Sequence, residues 1–203
     1  MDGLSYRILM GGKSNQIRRF IDAFDDELRP HFEAVGIKEA EADVAEREEL
    51  TFKQSVTADA GISSAFLGIV LFALAWPTNK ILDELFEDKF REKLRKLITK
   101  ARENIPLNRK ERIEYRSVLC GPEGYPTVVV RLLVGESDSL SDLANNIKAG
   151  HQNADRWIEK NGKQAEIHCY TIENGQCNLE PFLINKITEL DENGSSSLVR
   201  QWH

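Results

Sequence analysis

The stretch of sequence that decides the fold is residues 61–76, which read GISSAFLGIVLFALAW. None of these side chains is charged, and Pro77 follows directly. As an α-helix ending at Pro77 the stretch would be roughly 25 Å long, against about 30 Å of hydrocarbon in a bilayer, and extension to Leu82 would reach the full thickness. One interpretation is therefore a single transmembrane helix.

A second interpretation places the same residues inside a protein core. Apolar stretches of about 10–14 residues are more often buried helices than membrane spans, and this stretch is only slightly longer. Ile62–Trp76 would then be the buried central helix of a single α/β core, with Gly61 and Gly68 allowing close packing on a sheet. Both interpretations predict a hydrophobic helix.

Residues 81–102 follow as a predicted amphipathic helix. Its apolar seam recurs at four-residue steps, and a row of basic side chains lies on the opposite side. Such a seam needs a cover, so we expect this helix to mediate self-association, to contact a protein partner or to dock on an anionic lipid surface. The residues predicted to carry this interaction are Leu82, Phe86, Phe90, Leu94, Lys89 and Lys93. The alternative is that the sheet of the chain's own C-terminal module covers the seam.

The residues before the hydrophobic stretch predict a small βαβ-like unit over positions 1–57. Residues 6–10 are typical of a strand, and Ser14 or Asn15 can cap a following helix. The pattern of residues 50–56 predicts a second strand. The apolar stripe of the helix consists of Ile17, Phe20, Ile21, Phe24 and Leu28.

The last hundred residues predict a compact ββαββ module over positions 104–190, with a loose tail at 191–203. Strands are expected over 113–120, 127–134, 165–172 and 177–184. Asn174-Gly175 is a strong hairpin signal, and Pro181 favours an edge position for the final strand because it has no N–H to donate. A helical segment is predicted over 58–103 between the two units. The predicted fold class is therefore α+β.

Composition and charge exclude several classes of protein. The chain has 203 residues and 27 Lys or Arg against 33 Asp or Glu, so its net charge is −6. This balance argues against a nucleic-acid partner, which normally requires a basic surface. Three cysteines without a C-x-x-C pair indicate reduced thiols rather than a disulfide scaffold.

No pattern of catalytic, cofactor-binding or metal-ligating residues is present in the sequence. It lacks H-E-x-x-H and G-x-S-x-G, and its cysteines and histidines lack zinc-ligand spacing. His151 falls on the apolar stripe of a predicted helix and is expected to be a hydrogen-bonded histidine. His168 and Cys169 are neighbours on a strand, so they point to opposite faces and cannot pair. We therefore expect a protein that is not an enzyme and has no cofactor.

The distribution of basic residues gives an orientation to the transmembrane interpretation. Only Arg47 and Lys53 precede the span closely, whereas six basic residues follow it within 80–96. The positive-inside rule then places the C-terminal module in the cytoplasm. The expected function is that of a membrane-associated interaction or accessory protein, and the alternative is a soluble, cytoplasmic interaction protein. The order of elements resembles that of small accessory components of bacterial conflict systems, a resemblance that assigns no residue.

Overall fold

A computed structural model describes residues 4–11, 14–40, 65–73, 83, 85, 88–104, 113–134, 143–173, 176–186 and 189. These residues form helices on one face of a mixed sheet, so the predicted α+β class is confirmed. The helices are α1 (Ser14–Glu27), α2 (Arg29–Ala34), α3 (Asp88–Asn104) and α4 (Leu143–Asn161). The strands are β1 (Leu4–Gly11), β2 (Lys38–Glu39), β3 (Ala65–Ala73), β4 (Ile113–Cys120), β5 (Thr127–Val134), β6 (Ile167–Glu173), β7 (Gln176–Cys177) and β8 (Phe182–Ile184).

The sheet has the strand order β2-β1-β3-β4-β5-β6-β7, and β8 also pairs with β6. Strand β3 lies between β1, to which it is antiparallel, and β4, to which it is parallel. Residues from the predicted N-terminal unit, the hydrophobic stretch and the C-terminal module therefore share one hydrogen-bonded sheet.

The prediction of a helix in the hydrophobic stretch is wrong over residues 65–73, which are strand β3. Both the transmembrane and the buried-helix interpretations fail there. Ile69 and Leu71 belong to the main core, while Phe72 packs against a cluster on the other face. Residues 65–73 include no polar side chain, so the strand lacks the alternation that identifies a half-exposed strand. Within the described parts of the chain, no helix has the length and apolar character needed to cross a bilayer.

The main core lies between the helices and one face of the sheet. It is centred on aromatic side chains, and the rings of Tyr6 and Phe32 stack with their centroids 4.6 Å apart. Phe24 in α1 and Leu28 directly after it are buried as predicted, but Ile21 is 44% exposed and does not belong to the core. A smaller apolar cluster on the opposite face of the sheet consists of Val118, Cys120, Val129, Ile167, Cys169 and Ile184. We call that side the second face.

The C-terminal elements follow the sequence closely. Strands β4 and β5 have the predicted bounds, and Gly162 has a φ of 69°, the left-handed conformation that ends α4. Glu173 pairs with Gln176 across the predicted hairpin, and β8 lies at the sheet edge directly after Pro181. The strand predicted over residues 50–56 and the tail from 191 lie outside the described residues.

Candidate functional site

The apolar seam predicted to mediate interactions is partly described and is buried where it is described. Phe90 is 2% exposed and Leu94 is 0% exposed, and both belong to the main core. The ring of Phe90 lies 5.6 Å from that of His31 and 6.2 Å from that of Phe32, both in α2. Leu82 and Phe86 lie outside the described residues. At Phe90 and Leu94 the seam is therefore covered by the same chain.

Helix α3 turns its basic side chains away from this core. The helix contains seven Lys or Arg and three Asp or Glu, a net charge of +4 in a chain of net charge −6. Lys89, Arg95 and Lys96 are exposed, and we call these three residues the basic face of α3. The predicted residue Lys89 is thus available to a partner, while Lys93 is half-buried beside α1.

Acidic residues of α1 neutralise the other side of α3. The carboxylate of Glu27 accepts from Nζ of Lys100 at 2.9 Å and from Nζ of Lys93 at 3.5 Å. The hydrogen bond from Lys100 is the main reason why the pKa of Glu27 lies below its usual value. On the basic face, Lys96 pairs with Glu92 at 2.8 Å, while Lys89 and Arg95 have no ion pair with any residue that the structure describes. The unneutralised charge of α3 therefore points away from α1.

A second candidate site is a buried charge cluster on the second face of the sheet, formed by Glu114, Arg116 and Arg131. These residues are 7%, 4% and 5% exposed. Nε of Arg116 donates to Oε1 of Glu114 at 2.6 Å. Nε of Arg131 donates to the same oxygen at 2.5 Å, and its Nη2 donates to Oε2 at 3.0 Å. Arg116 and Arg131 are direct cross-strand partners, so the carboxylate bridges two like charges that would otherwise repel.

The carboxyl group of Glu114 stays ionised in this setting. Burial alone would raise its pKa, but the charges of Arg116 and Arg131 outweigh burial and hold the pKa at about 2. In addition, Nη1 of Arg131 is buried and has no hydrogen-bond acceptor among the described residues.

The sequence contains a partial signal for this cluster, which no motif describes. Arg131 interrupts an otherwise apolar strand, and Glu114 and Arg116 are two residues apart on the adjacent strand. Side chains alternate between the two faces of a sheet, so the face on which each of these three residues lies follows from its strand. Only the register of β4 against β5 brings the three residues together. Register depends on contacts that no single segment contains.

His151 forms the hydrogen bond expected from its place on the apolar stripe of α4. Its Nε2 lies 2.8 Å from Oγ of Ser117 in β4, and both residues are buried in the helix-facing core. Burial lowers the pKa of His151 to about 3, so the imidazole is neutral. A serine–histidine contact can activate a nucleophile, but here it is enclosed between α4 and β4, where it joins helix to sheet.

The described residues include three free cysteines and no group of His, Cys, Asp or Glu side chains arranged to hold a metal ion. Cys120 and Cys169 are buried, and burial raises the pKa of Cys169 to about 12, which makes its thiol unreactive. No known protein family, curated protein or solved structure matches this chain.

Proposed function

We propose that this chain is a non-enzymatic interaction protein that associates with an anionic membrane surface through the basic face of α3. The observation that carries the proposal is the orientation of α3. Its apolar residues Phe90 and Leu94 are buried, while Lys89, Arg95 and Lys96 are exposed together on the outer side. Association is then peripheral and electrostatic, and it does not require a membrane-spanning helix.

The distribution of charge supports one orientation on such a surface. Helix α3 carries +4, so the rest of the chain carries −6 − 4 = −10. An anionic surface attracts the side of the molecule that bears α3 and repels the remainder. An uneven distribution of charge steers how a protein approaches and orients on a charged surface, even when the net charge of the protein has the same sign as the surface.

The expected affinity is low. The basic face has only three residues, and Lys96 is already paired with Glu92, so few charges are available to attract an anionic bilayer. Screening weakens the attraction as salt increases, because the Debye length is about 10 Å at 0.1 M ionic strength. The proposed association is therefore reversible and sensitive to salt.

Vesicle co-sedimentation tests the proposal. Wild-type protein is mixed with vesicles of phosphatidylcholine alone or of phosphatidylcholine with phosphatidylserine, at low and high salt. We expect sedimentation only with the phosphatidylserine vesicles and only at low salt. The triple variant Lys89→Glu, Arg95→Glu and Lys96→Glu is expected to remain in the supernatant.

A matched control changes net charge equally at another surface. Lys38→Glu, Arg156→Glu and Lys160→Glu replace three exposed basic residues outside α3. This control is expected to sediment like the wild type. If the wild type does not bind phosphatidylserine vesicles, or if both triple variants lose binding equally, the proposal is wrong.

A further inference from the structure

We infer that β8 is the interface through which two copies of this chain associate, as antiparallel strands paired about Leu183. The inference is independent of the proposed membrane association, because it rests on the edge of the sheet and not on α3. Three observations carry it: the direction of the backbone groups of β8, the apolar side chains exposed beside them, and the order of charges along residues 180–186.

The first observation is that β8 has a backbone donor and acceptor directed away from the sheet. The C=O of Glu166 accepts from the N–H of Thr127, which begins β5. The N–H of Ile167 belongs to the same planar peptide group and therefore points the opposite way, towards β8. Ile167 lies opposite Ile184 in the antiparallel register, so the N–H and C=O of Ile184 bond to β6.

Backbone groups alternate in direction along a strand, which fixes the other residues of β8. Phe182 is two residues from Ile184 and therefore also bonds to β6, where it lies opposite Cys169. The N–H and C=O of Leu183 point to the other side, and no strand that the structure describes pairs with β8 there. An edge of this kind is a template on which another strand can pair.

The second observation is the exposure of apolar side chains at this edge. Leu183 is 41% exposed and Leu179 is 74% exposed. Four large hydrophobic side chains are exposed among the described residues, and these are two of them. Phe182 is half-buried and packs against the apolar cluster of the second face. A strand added beside β8 would cover Leu183 on one face of the sheet and Phe182 on the other.

The third observation is the order of charges, which is complementary to itself. Residues 180–186 read EPFLINK, so Glu180 and Lys186 are each three residues from Leu183. Both charged side chains are exposed, and neither forms an ion pair with a residue that the structure describes. Antiparallel pairing about Leu183 places the acidic end of each copy beside the basic end of the other. A two-fold contact uses the same patch of both copies, so this order identifies a second copy as the partner.

The neighbours of β8 keep the pairing short. Pro181 has no N–H to donate, and the N–H of Asn185 already donates to Oε1 of Glu189 at 3.1 Å. The centre of the interface is left with two backbone hydrogen bonds, in which the N–H of each Leu183 donates to the C=O of the other. Because this interface is small, we expect weak and reversible association.

Sedimentation velocity across a range of protein concentrations tests the inference. We expect the wild type to shift from monomer to dimer as its concentration rises towards the solubility limit. Leu183→Lys places like charges at the centre of the interface and should weaken dimerisation by about tenfold or more. Ile21→Lys introduces the same charge at a similarly exposed apolar position of α1, so it is the matched control and should dimerise like the wild type.

Reversal of the charges tests the register. Glu180→Lys and Lys186→Glu each bring like charges together at both ends of the paired strands, so each variant alone should dimerise about tenfold more weakly than the wild type. A mixture of the two variants restores both opposite-charge pairs in a heterodimer and should associate about as strongly as the wild type. Both positions are exposed, so neither change disturbs the core.

Amide hydrogen exchange followed by NMR tests the backbone contact on unaltered protein and covers the case in which Leu183→Lys does not fold. The amide of Leu183 should exchange more slowly as protein concentration rises, whereas those of Phe182 and Ile184 should be protected at every concentration. A wild type that stays monomeric, dimerisation that Leu183→Lys retains in full, a mixture that associates no more strongly than its components, or exchange at Leu183 that is independent of concentration would each overturn the inference.

Discussion

Gly150 of α4 lies so close to Val130 of β5 that a Cβ built at position 150 would meet Cγ1 of Val130 at 2.7 Å and Cγ2 at 3.0 Å. Real Cβ atoms are essentially never found at the shorter of these distances. Val130 is fully buried and β-branched, so its side chain has little freedom to move aside. The absence of a side chain at position 150 thus sets how closely α4 approaches the sheet.

Replacing Gly150 with Ala is therefore expected to destabilise the protein, although Ala favours helix formation by about 1 kcal/mol relative to Gly. Overpacking of a filled core costs about 1–3 kcal/mol, so we expect a net loss of up to about 2 kcal/mol. The free energy of unfolding in urea measures this loss.

Two further variants test the cause of that loss. Asn145→Ala changes an exposed position of the same helix and should leave stability within about 0.5 kcal/mol of the wild type. Val130→Ala should make the Gly150→Ala change less costly, because it removes the methyl groups that clash. Additive effects of the two substitutions would contradict the contact as the cause.

The elements that the sequence predicted correctly are those marked by signals within their own segment, such as turns and helix ends. Strands β4 and β5 flank a turn that contains the left-handed Gly124, and α4 ends at the left-handed Gly162, so these signals act locally. Strand β3 was predicted as a helix because an apolar run without alternation is compatible with a central strand and with a buried helix. Only its pairing with β1 and β4 distinguishes the two, and that pairing joins residues distant in sequence.

The candidate sites also have features that follow from local sequence and features that depend on tertiary packing. The amphipathic pattern separates the apolar positions Phe90 and Leu94, which are buried, from Lys89, which is exposed, because this separation depends on helical periodicity alone. What covers Phe90 depends on where α2 packs, which the pattern does not contain. The pairing of Glu114 with Arg131 was likewise missed because it depends on strand register.

Phe90→Ala tests whether the seam belongs to the core. The ring is buried against His31 and Phe32, so its truncation should lower the free energy of unfolding by about 3–5 kcal/mol. Urea unfolding gives the stability, and analytical ultracentrifugation gives the oligomeric state of the wild type and the variant. Lys89→Ala, at the exposed position before it, is the control and should change stability by no more than about 0.5 kcal/mol. A variant of unchanged stability that dissociates from an oligomer would instead support self-association through the seam.

Glu114→Gln tests the energetic role of the carboxylate in the buried charge cluster. The substitution removes the carboxylate that bridges Arg116 and Arg131, which face each other across the strands. Removal of one partner of a buried ion pair typically costs about 3–5 kcal/mol, and we expect a loss of this size. Urea unfolding at neutral pH measures it.

The same variant tests how the free energy of unfolding depends on pH. The pKa of Glu114 is about 2 in the folded protein and lies near its ordinary value in the unfolded chain, so its stabilising contribution is complete above that ordinary value and is lost as pH falls towards 2. Glu114→Gln should lose this acid dependence. Glu180→Gln, at an exposed position, is the control and should retain it. Equal acid sensitivity of wild type and Glu114→Gln would contradict the assignment.

His151→Gln tests the neutral imidazole in the helix-facing core. Burial lowers the pKa of His151 to about 3, whereas the unfolded chain takes up the proton near the ordinary histidine value of about 6.5. Between these two pKa values the unfolded chain therefore binds more protons than the folded protein. The stability that the neutral imidazole of His151 provides falls as pH decreases below about 6.5. Between about pH 8 and about pH 5 the loss due to this group is about 2 kcal/mol. Glutamine retains a hydrogen bond to Ser117 without titrating, so the unfolding free energy of the variant should depend less steeply on pH.

Ser117→Ala separates the hydrogen bond from the titration. It removes the hydrogen bond between Ser117 and His151 and should lower stability by about 1 kcal/mol at every pH, because the imidazole is still buried and neutral. Its pH dependence should then parallel that of the wild type, while that of His151→Gln should be flatter. Urea unfolding of the three proteins across the same pH range gives both quantities. Parallel curves for all three proteins would mean that His151 takes up its proton as readily in the folded protein as in the unfolded chain, which is incompatible with an imidazole enclosed between α4 and β4.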